Sequence, residues 1–273
     1  MAMQPFRFVR PRTLAEAKTL RAENDEASFL SGGHTLLPTI KQGLARPPIL
    51  IDVTCIHGMS GISASESAVT ICAATRHADV AASEIVQAKI PVLAGLAGSI
   101  GDRHVRNRGT IGGSLANNDP AADYPAAALG LGAMIVTDRR EINADDYFTG
   151  LFETALEPDE IVTRIVFPIP DVAAYAKFRH PASRYSIAGV FIARTDGAVR
   201  VAVTGAGGQG VFRAQAFEQA LTNDFRAEAL DGLSIDPDTL LEDLIATKEY
   251  RAHLIHVMSR SAMGHPGTVQ TYK

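Results

Sequence analysis

Two glycine-rich stretches in the first half of the chain constrain it most. Ser31-Gly32-Gly33-His34-Thr35 follows a strand-like run, Ser28 to Leu30, and precedes a short helix-like run, Leu36 to Lys41. Adjacent glycines accept positive φ at little steric cost. Their N–H groups can converge on an anion as a nest, helped by a helix N-terminus, and His34 and Thr35 add side-chain donors. An ordinary Gly-Gly turn is the alternative. Eighty residues further on, Arg108-Gly109-Thr110-Ile111-Gly112-Gly113-Ser114 sets three glycines and two hydroxyls within seven residues. It reads as a loop whose backbone can touch a ligand directly. No Lys-Ser/Thr pair follows either stretch, so a nucleoside-triphosphatase loop is disfavoured, and the first stretch has no Gly-x-Gly-x-x-Gly. Asp123 lies beyond the second stretch, near the start of a helix. It serves either as a cap or as an acceptor for a ribityl hydroxyl or ring N–H. Two separate backbone cradles suit a long ligand with a diphosphate in its middle, such as FAD.

Composition narrows the classes of function. The chain has 273 residues, 46% of them hydrophobic and 21% charged, which fits globular domains and excludes a disordered tail. The length suits one large domain or two to three smaller ones. Twenty-six basic residues against 30 acidic ones give a net charge of −4, which does not suit a nucleic-acid clamp. Aromatic residues make up 6% and Trp is absent, so single-strand stacking platforms are not expected. The two cysteines, Cys55 and Cys72, are too few for a cysteine-ligated iron–sulfur cluster or a four-cysteine zinc site within this chain. Cysteine poverty fits a reducing cytosol, although one disulfide stays open. The opening segment, Met1 to Leu14, lacks the apolar core of a leader. No run approaches the roughly 18 consecutive apolar residues of a membrane span.

The spacing of apolar residues and turn formers predicts small α/β units over the first 55 residues. Thr13 and Glu16 form a capping box there, and Ile49 to Val53 a buried strand. A strand follows at Val69 to Ala73, then a helix with Thr75 near its start, and an Ala/Gly-rich helix at Ile90 to Ile100. Ala121 to Leu131 reads as a helix, Ala133 to Thr137 as a strand, and Ile161 to Phe167 as a strand closed by Pro168 and Pro170. Composition changes after Asp171. Ile187 to Ala193 and Val199 to Thr204 read as a hairpin through Thr195-Asp196-Gly197. Ala214 to Leu221 and Asp238 to Met258 read as helices. The expected boundary lies near Pro170.

The run Ser31 to Pro38 resembles the first FAD-binding motif of the flavoprotein subunits of molybdenum hydroxylases. Arg106 to Leu115 resembles the second, Asn118-Asp119-Pro120-Ala121-Ala122-Asp123 continues it, and Phe148-Thr149-Gly150 matches a further family element. The resemblance covers nearly the whole chain. It points to the medium subunit of aerobic carbon monoxide dehydrogenase and, at greater distance, to the FAD subunit of xanthine dehydrogenase. It implies an α+β fold: a vanillyl-alcohol-oxidase-type (PCMH-type) FAD-binding domain over residues 1–170, with lobes of about 1–55 and 56–170. A C-terminal flavoprotein domain would take 171–273. FAD would lie between the lobes. The resemblance implies cofactor contacts from Ser31, Gly32, Gly33, His34, Thr35 and Leu36, and from Thr110, Ile111, Gly112, Gly113 and Ser114. Asp123 would hold the ribityl chain or flavin, Val162 would contact the adenine side, and Lys177 and Tyr185 would approach from the third domain. His104 stands where relatives often have Gln, and Asn118 where Ala is usual; neither touches the glycine pattern.

The resemblance also implies partners: a large molybdopterin-binding subunit and a small [2Fe–2S] subunit, in a dimer of heterotrimers in the cytoplasm. This chain would take electrons from the clusters and pass them to quinone, NAD or oxygen. The cysteine count agrees with that division. A stand-alone FAD-dependent oxidase or dehydrogenase, and a non-enzymatic module whose glycines are only turns, are the alternatives. The residues show no hydrolytic site, since Ser31 and His34 are neighbours without a sign of a nucleophile–base pair. His253 and His256 share a helix face at i, i+3 but lack further metal ligands. Arg103, Arg106 and Arg108 form a basic stretch that either is solvated or meets a partner or phosphate.

Overall fold

The structure, a computed structural model, describes residues 5–273. Met1 to Gln4, the first part of the segment read as lacking a leader, lie outside the described residues. The first lobe consists of β1 (Arg7–Val9), α1 (Leu14–Ala22), β2 (Ser28–Leu30), α2 (Leu36–Lys41) and β3 (Ile49–Asp52). Its strands form a parallel sheet in the order β1-β3-β2. Parallel neighbours need crossover connections, which α1 and α2 supply. Leu50 and Ile51 on the central strand are fully buried. Thr13 caps α1 by accepting the Glu16 N–H, but Glu16 reaches back to the N–H of Arg12, one residue earlier than a capping box requires.

The second lobe runs through β4 (Ile62–Ala64), β5 (Ala68–Cys72), α3 (His77–Ala82), α4 (Glu84–Lys89), α5 (Pro91–Ser99), α6 (Arg103–Arg106), α7 (Ile111–Asn117) and α8 (Asp123–Leu131). It continues through β6 (Met134–Thr137), β7 (Glu141–Asn143), α9 (Ala144–Tyr147), the β8 (Phe148–Gly150) and β9 (Glu153–Thr154) hairpin, and β10 (Val162–Pro168). Five of these strands form an antiparallel sheet, β4-β5-β10-β6-β7. Cys55 and Cys72 are free thiols.

The remaining elements are β11 (Val172–Arg179), β12 (Ser186–Thr195), β13 (Ala198–Thr204), β14 (Phe212–Arg213), α10 (Gln215–Asn223), α11 (Lys248–Gly264) and β15 (Val269–Tyr272). They build a third sheet, β14-β13-β12-β11-β15, in which β15 runs parallel to β11. Asp196 and Gly197 both take positive φ, 49° and 81°, as a tight hairpin turn requires. Every residue of α8 is buried, because the third sheet packs across it on β12 and β13. Small residues permit that approach: a Cβ on Gly130 would stand 2.7 Å from the Phe191 ring.

Two further expectations differ from the structure. The stretch Arg108 to Ser114 is not a loop throughout, since Ile111–Asn117 is helical. Thr110 caps it by accepting the Gly113 N–H at 3.2 Å, and Asn118 closes it in a left-handed conformation, φ 42°. Tertiary packing against β5 outweighs the low helix propensity of glycine here. Asp238 to Met258 is α-helical only from Lys248, after a short 3-10 turn at Pro237–Thr239, and the helix continues to Gly264. The Leu241 N–H goes to the Ala206 carbonyl, which holds the preceding segment against the third sheet. Thr247 then starts a new helix by accepting the Tyr250 N–H.

Candidate cofactor site

A cavity of about 650 Å³ is walled by the first glycine loop, the start of α7, the Asp119–Asp123 segment, residues 156–162 and the tip of the β11–β12 hairpin. Cofactor pockets typically span about 300–1,000 Å³. Ser31, Gly32, Gly33, His34, Thr35, Leu36, Thr110, Gly112, Gly113, Ser114, Asp123, Val162 and Tyr185 all line it. Ile111 and Lys177 do not: both are fully buried behind the wall.

The first glycine loop is open. The N–H groups of Gly32, Gly33, His34 and Thr35 find no acceptor among the described residues. Gly33 has φ +74°, which favours glycine. Consecutive unpaired N–H groups at the entry to a helix form an anion-binding hollow. His34 is exposed and Ser31 bonds to Thr110, so no nucleophile–base pair forms between Ser31 and His34.

The second stretch is closed. The Ile111 N–H donates to the Thr75 carbonyl at 3.1 Å and that of Gly112 to the Ala73 carbonyl at 2.8 Å. Gly113 donates to Thr110, and Ser114 to the Thr110 carbonyl at 3.0 Å. These glycines serve approach rather than donation. A Cβ on Gly112 would stand 2.5 Å from the Ala73 Cβ and 2.8 Å from its carbonyl oxygen. The two stretches touch. A Cβ on Gly32 would lie 2.3 Å from the Arg108 carbonyl oxygen, and the Ser31 and Thr110 hydroxyls share a 2.8 Å hydrogen bond.

Asp123 is the first residue of α8 and caps nothing; the N-cap is Ala122. Its carboxylate is buried and accepts from Lys177 Nζ at 2.7 Å, from Ser186 Oγ at 2.8 Å and from the Tyr175 hydroxyl. Lys177 lies behind the cavity wall because it answers this buried charge. Tyr185, 47% exposed, stands at the mouth beside Arg184, which adopts φ 65°. Val162 opens β10, two residues after Glu160, which also lines the cavity. The Arg140 guanidinium holds the Glu160 carboxyl down to about 2.

His77 is a lining residue that the motifs did not single out. Burial is the largest influence on it and pushes its imidazole down to about 4, against a smaller opposing pull from Asp123. Its Nδ1 is buried without a partner, and its ring lies against Gly109 and Tyr124. Its signal in the sequence is position: it opens the helix that follows β5, and the fold brings its N–H onto the Gly109 carbonyl at 3.0 Å. Arg103 and Arg108 are exposed, while Arg106 donates to the Ile100 and Gly101 carbonyls. No cluster of metal-ligating side chains occurs among the described residues, His253 and His256 included.

Residues 4–170 match the family described as the FAD binding domain in molybdopterin dehydrogenase. The chain belongs to that family. This FAD-binding chain is 32% identical to the carbon monoxide dehydrogenase medium chain of Hydrogenophaga pseudoflava, over 94% of its own length and 96% of the relative's. It is 30% identical to the nicotine 6-hydroxylase medium subunit of Paenarthrobacter nicotinovorans, over 98% and 99%. A solved structure of the Hydrogenophaga pseudoflava carbon monoxide dehydrogenase, lacking the Mo-pyranopterin moiety, superposes with a TM-score of 0.86. That match has 32% identity and covers 97% of this chain and 98% of that one. The FAD-binding chain therefore has the fold of a carbon monoxide dehydrogenase medium subunit. Its site suits the cofactor: unpaired N–H groups for a diphosphate, apolar walls from Leu30, Val53, Met59 and Ile161 for a ring system, and a fixed carboxylate for polar groups between or on them.

Proposed function

We propose that the chain is the FAD-binding electron-transfer subunit of a molybdenum hydroxylase. It would work with a large molybdopterin-binding subunit and a small [2Fe–2S] subunit, in a cytoplasmic dimer of heterotrimers. Electrons would arrive from the small subunit's clusters and leave to an external acceptor. The observation that carries this reading is the pairing, in one cavity, of four unpaired N–H groups on the first glycine loop with the buried Asp123 carboxylate. Bound FAD supplies the redox chemistry. The chain's own residues bind and orient it. Gly32 to Thr35 hold the diphosphate through backbone N–H groups, Thr110 and Ser114 bring hydroxyls to the same wall, and Asp123 accepts from the ribityl chain or flavin ring. Val162 flanks the adenine side, and Tyr185 guards the mouth. Residues 1–170 form the FAD-binding domain and 171–273 the C-terminal flavoprotein domain, which supplies the partners of Asp123. Having only two cysteines, the chain leaves the clusters to a partner.

The test is purification of the tagged chain from its own cells. The expected product is yellow, carries one FAD per chain, and brings an iron–sulfur and a molybdenum subunit with it. A colourless chain that refuses added FAD overturns the reading. Reduction of its FAD by a small organic substrate, without partners, moves it to a stand-alone oxidase or dehydrogenase.

A further inference from the structure

We infer that Tyr175 and Ser186 are positioning residues that aim the Asp123 carboxylate at the flavin half of the cofactor, with Lys177 as its buried counter-charge. The inference rests on the FAD reading above. It assigns a task to two side chains outside the glycine stretches.

Asp123 Oδ1 accepts from both the Tyr175 hydroxyl and Ser186 Oγ, while Oδ2 accepts from Lys177 Nζ. Tyr175 and Lys177 are fully buried and Ser186 is 3% exposed. Each carboxylate oxygen has roughly two acceptor sites. Oδ1 is therefore filled and Oδ2 keeps one site. Three donors from β11 and the start of β12 thus fix the plane of the carboxylate and leave one direction for a ligand group. Lys177 also donates to the Ser99 carbonyl at 3.3 Å, at the end of α5, one residue before the cavity-lining Ile100.

Mere adhesion between α8 and the third sheet would not need this cluster. The backbone before α8 is gripped independently: the Gly205 N–H donates to the Pro120 carbonyl at 2.7 Å, and Thr204 Oγ1 to the Ala122 carbonyl at 2.7 Å. A buried ion pair is also a poor adhesive, because desolvation offsets most of its attraction. Space has been left for the arrangement. A Cβ on Gly189, the β12 partner of Lys177, would stand 2.6 Å from the Tyr175 hydroxyl and 3.2 Å from Ser186 Oγ.

The test measures FAD and ADP affinities of the full chain, since ADP carries the diphosphate without the flavin. Tyr175→Phe should weaken FAD about tenfold, as loss of a hydrogen bond to a charged group implies, and leave ADP unchanged. Ser186→Ala should do the same to a smaller degree. Gly189→Ala, which does not touch the cavity, should reproduce the Tyr175→Phe pattern. In an Asp123→Asn background, Tyr175→Phe should cost nothing further. Equal losses of FAD and ADP, a lowered apo Tm with FAD affinity unchanged, or a full Tyr175→Phe cost in the Asp123→Asn background would each overturn the inference. A wild-type chain that binds ADP but not FAD overturns the FAD reading itself, whatever the variants do.

Discussion

Ser31 to Thr35 leaves four consecutive N–H groups without an acceptor, whereas in Ile111 to Ser114 each N–H is already taken by the protein. Both stretches carry a Gly-Gly pair, and both face the same cavity. The first takes the positive φ of Gly33 and leaves its donors open. The second uses missing side chains to press a helix against the end of β5, which makes it a rigid wall for the first. Glycine content alone therefore does not identify a ligand-binding backbone; the fate of the N–H groups does.

If the second stretch is a packed wall, Gly112→Val should have the largest effect on stability. The new side chain would meet the backbone of Ala73, which cannot swing aside. Overpacking against backbone should cost about 3 kcal/mol or more. The expected result is a sharply lowered Tm of the chain before any FAD is added. An unchanged apo Tm with loss of FAD would mean that Gly112 serves the ligand after all.

His77 supports the same wall, and its effect should come next in size. Folded, the imidazole stays neutral down to about pH 4, while its ordinary value is 6.5. The unfolded chain therefore binds the extra proton first as pH falls. Stability is full above about 6.5 and drops as pH approaches 4, by about 3 kcal/mol at most. Denaturant midpoints at pH 7.5 and 4.5 should differ in the wild type and converge in His77→Leu. Glu160 acts in a lower window, since its carboxyl is held at about 2 against an ordinary 4.5. A wild-type midpoint flat between pH 6.5 and 4.5 would remove His77 from the buried wall.

The first loop was legible because its signals are local. The short apolar run Ser28 to Leu30, the glycine pair and the following helix former all lie within a dozen residues and agree with one another. The hairpin at Thr195-Asp196-Gly197 was legible for the same reason. The helical state of Ile111 to Asn117 was not, although Thr110 stood there as a cap. Its decisive contact is with Ala73, nearly forty residues away, and glycine argues against helix wherever packing does not intervene. The surroundings of Asp123 were hidden more deeply. Lys177, Tyr175 and Ser186 lie more than fifty residues away, on strands whose register no local pattern specifies. The family resemblance placed Lys177 at the cofactor, whereas the structure places it one layer back. His77 carries no local signal, since it stands outside both glycine stretches and at no metal-ligand spacing.

Where the two stretches join, the expected effects are smaller. Thr110→Val removes a helix cap and the bond to Ser31, and should lower stability by about 1–2 kcal/mol. Thr110→Ser should recover most of that, because the hydroxyl does both tasks.

Gly33→Ala should have the smallest effect, and it discriminates best between an open hollow and another packed contact. The added methyl points at the Leu37 side chain, 2.9 Å away, rather than at backbone. Leu37 can shift, so most of the loss should come from forcing alanine to φ +74°, about 1 kcal/mol. None of the four N–H groups is removed, and the methyl's nearest neighbour, the Leu37 side chain, lies outside the cavity lining, with the lining residue Leu30 next at 3.3 Å. The variant should therefore show a slightly lower apo Tm and bind FAD at full stoichiometry with nearly native affinity. If the apo chain is as stable as wild type yet FAD no longer binds, the methyl must be meeting the ligand. The donors of the first loop would then be arranged differently from the open hollow described here.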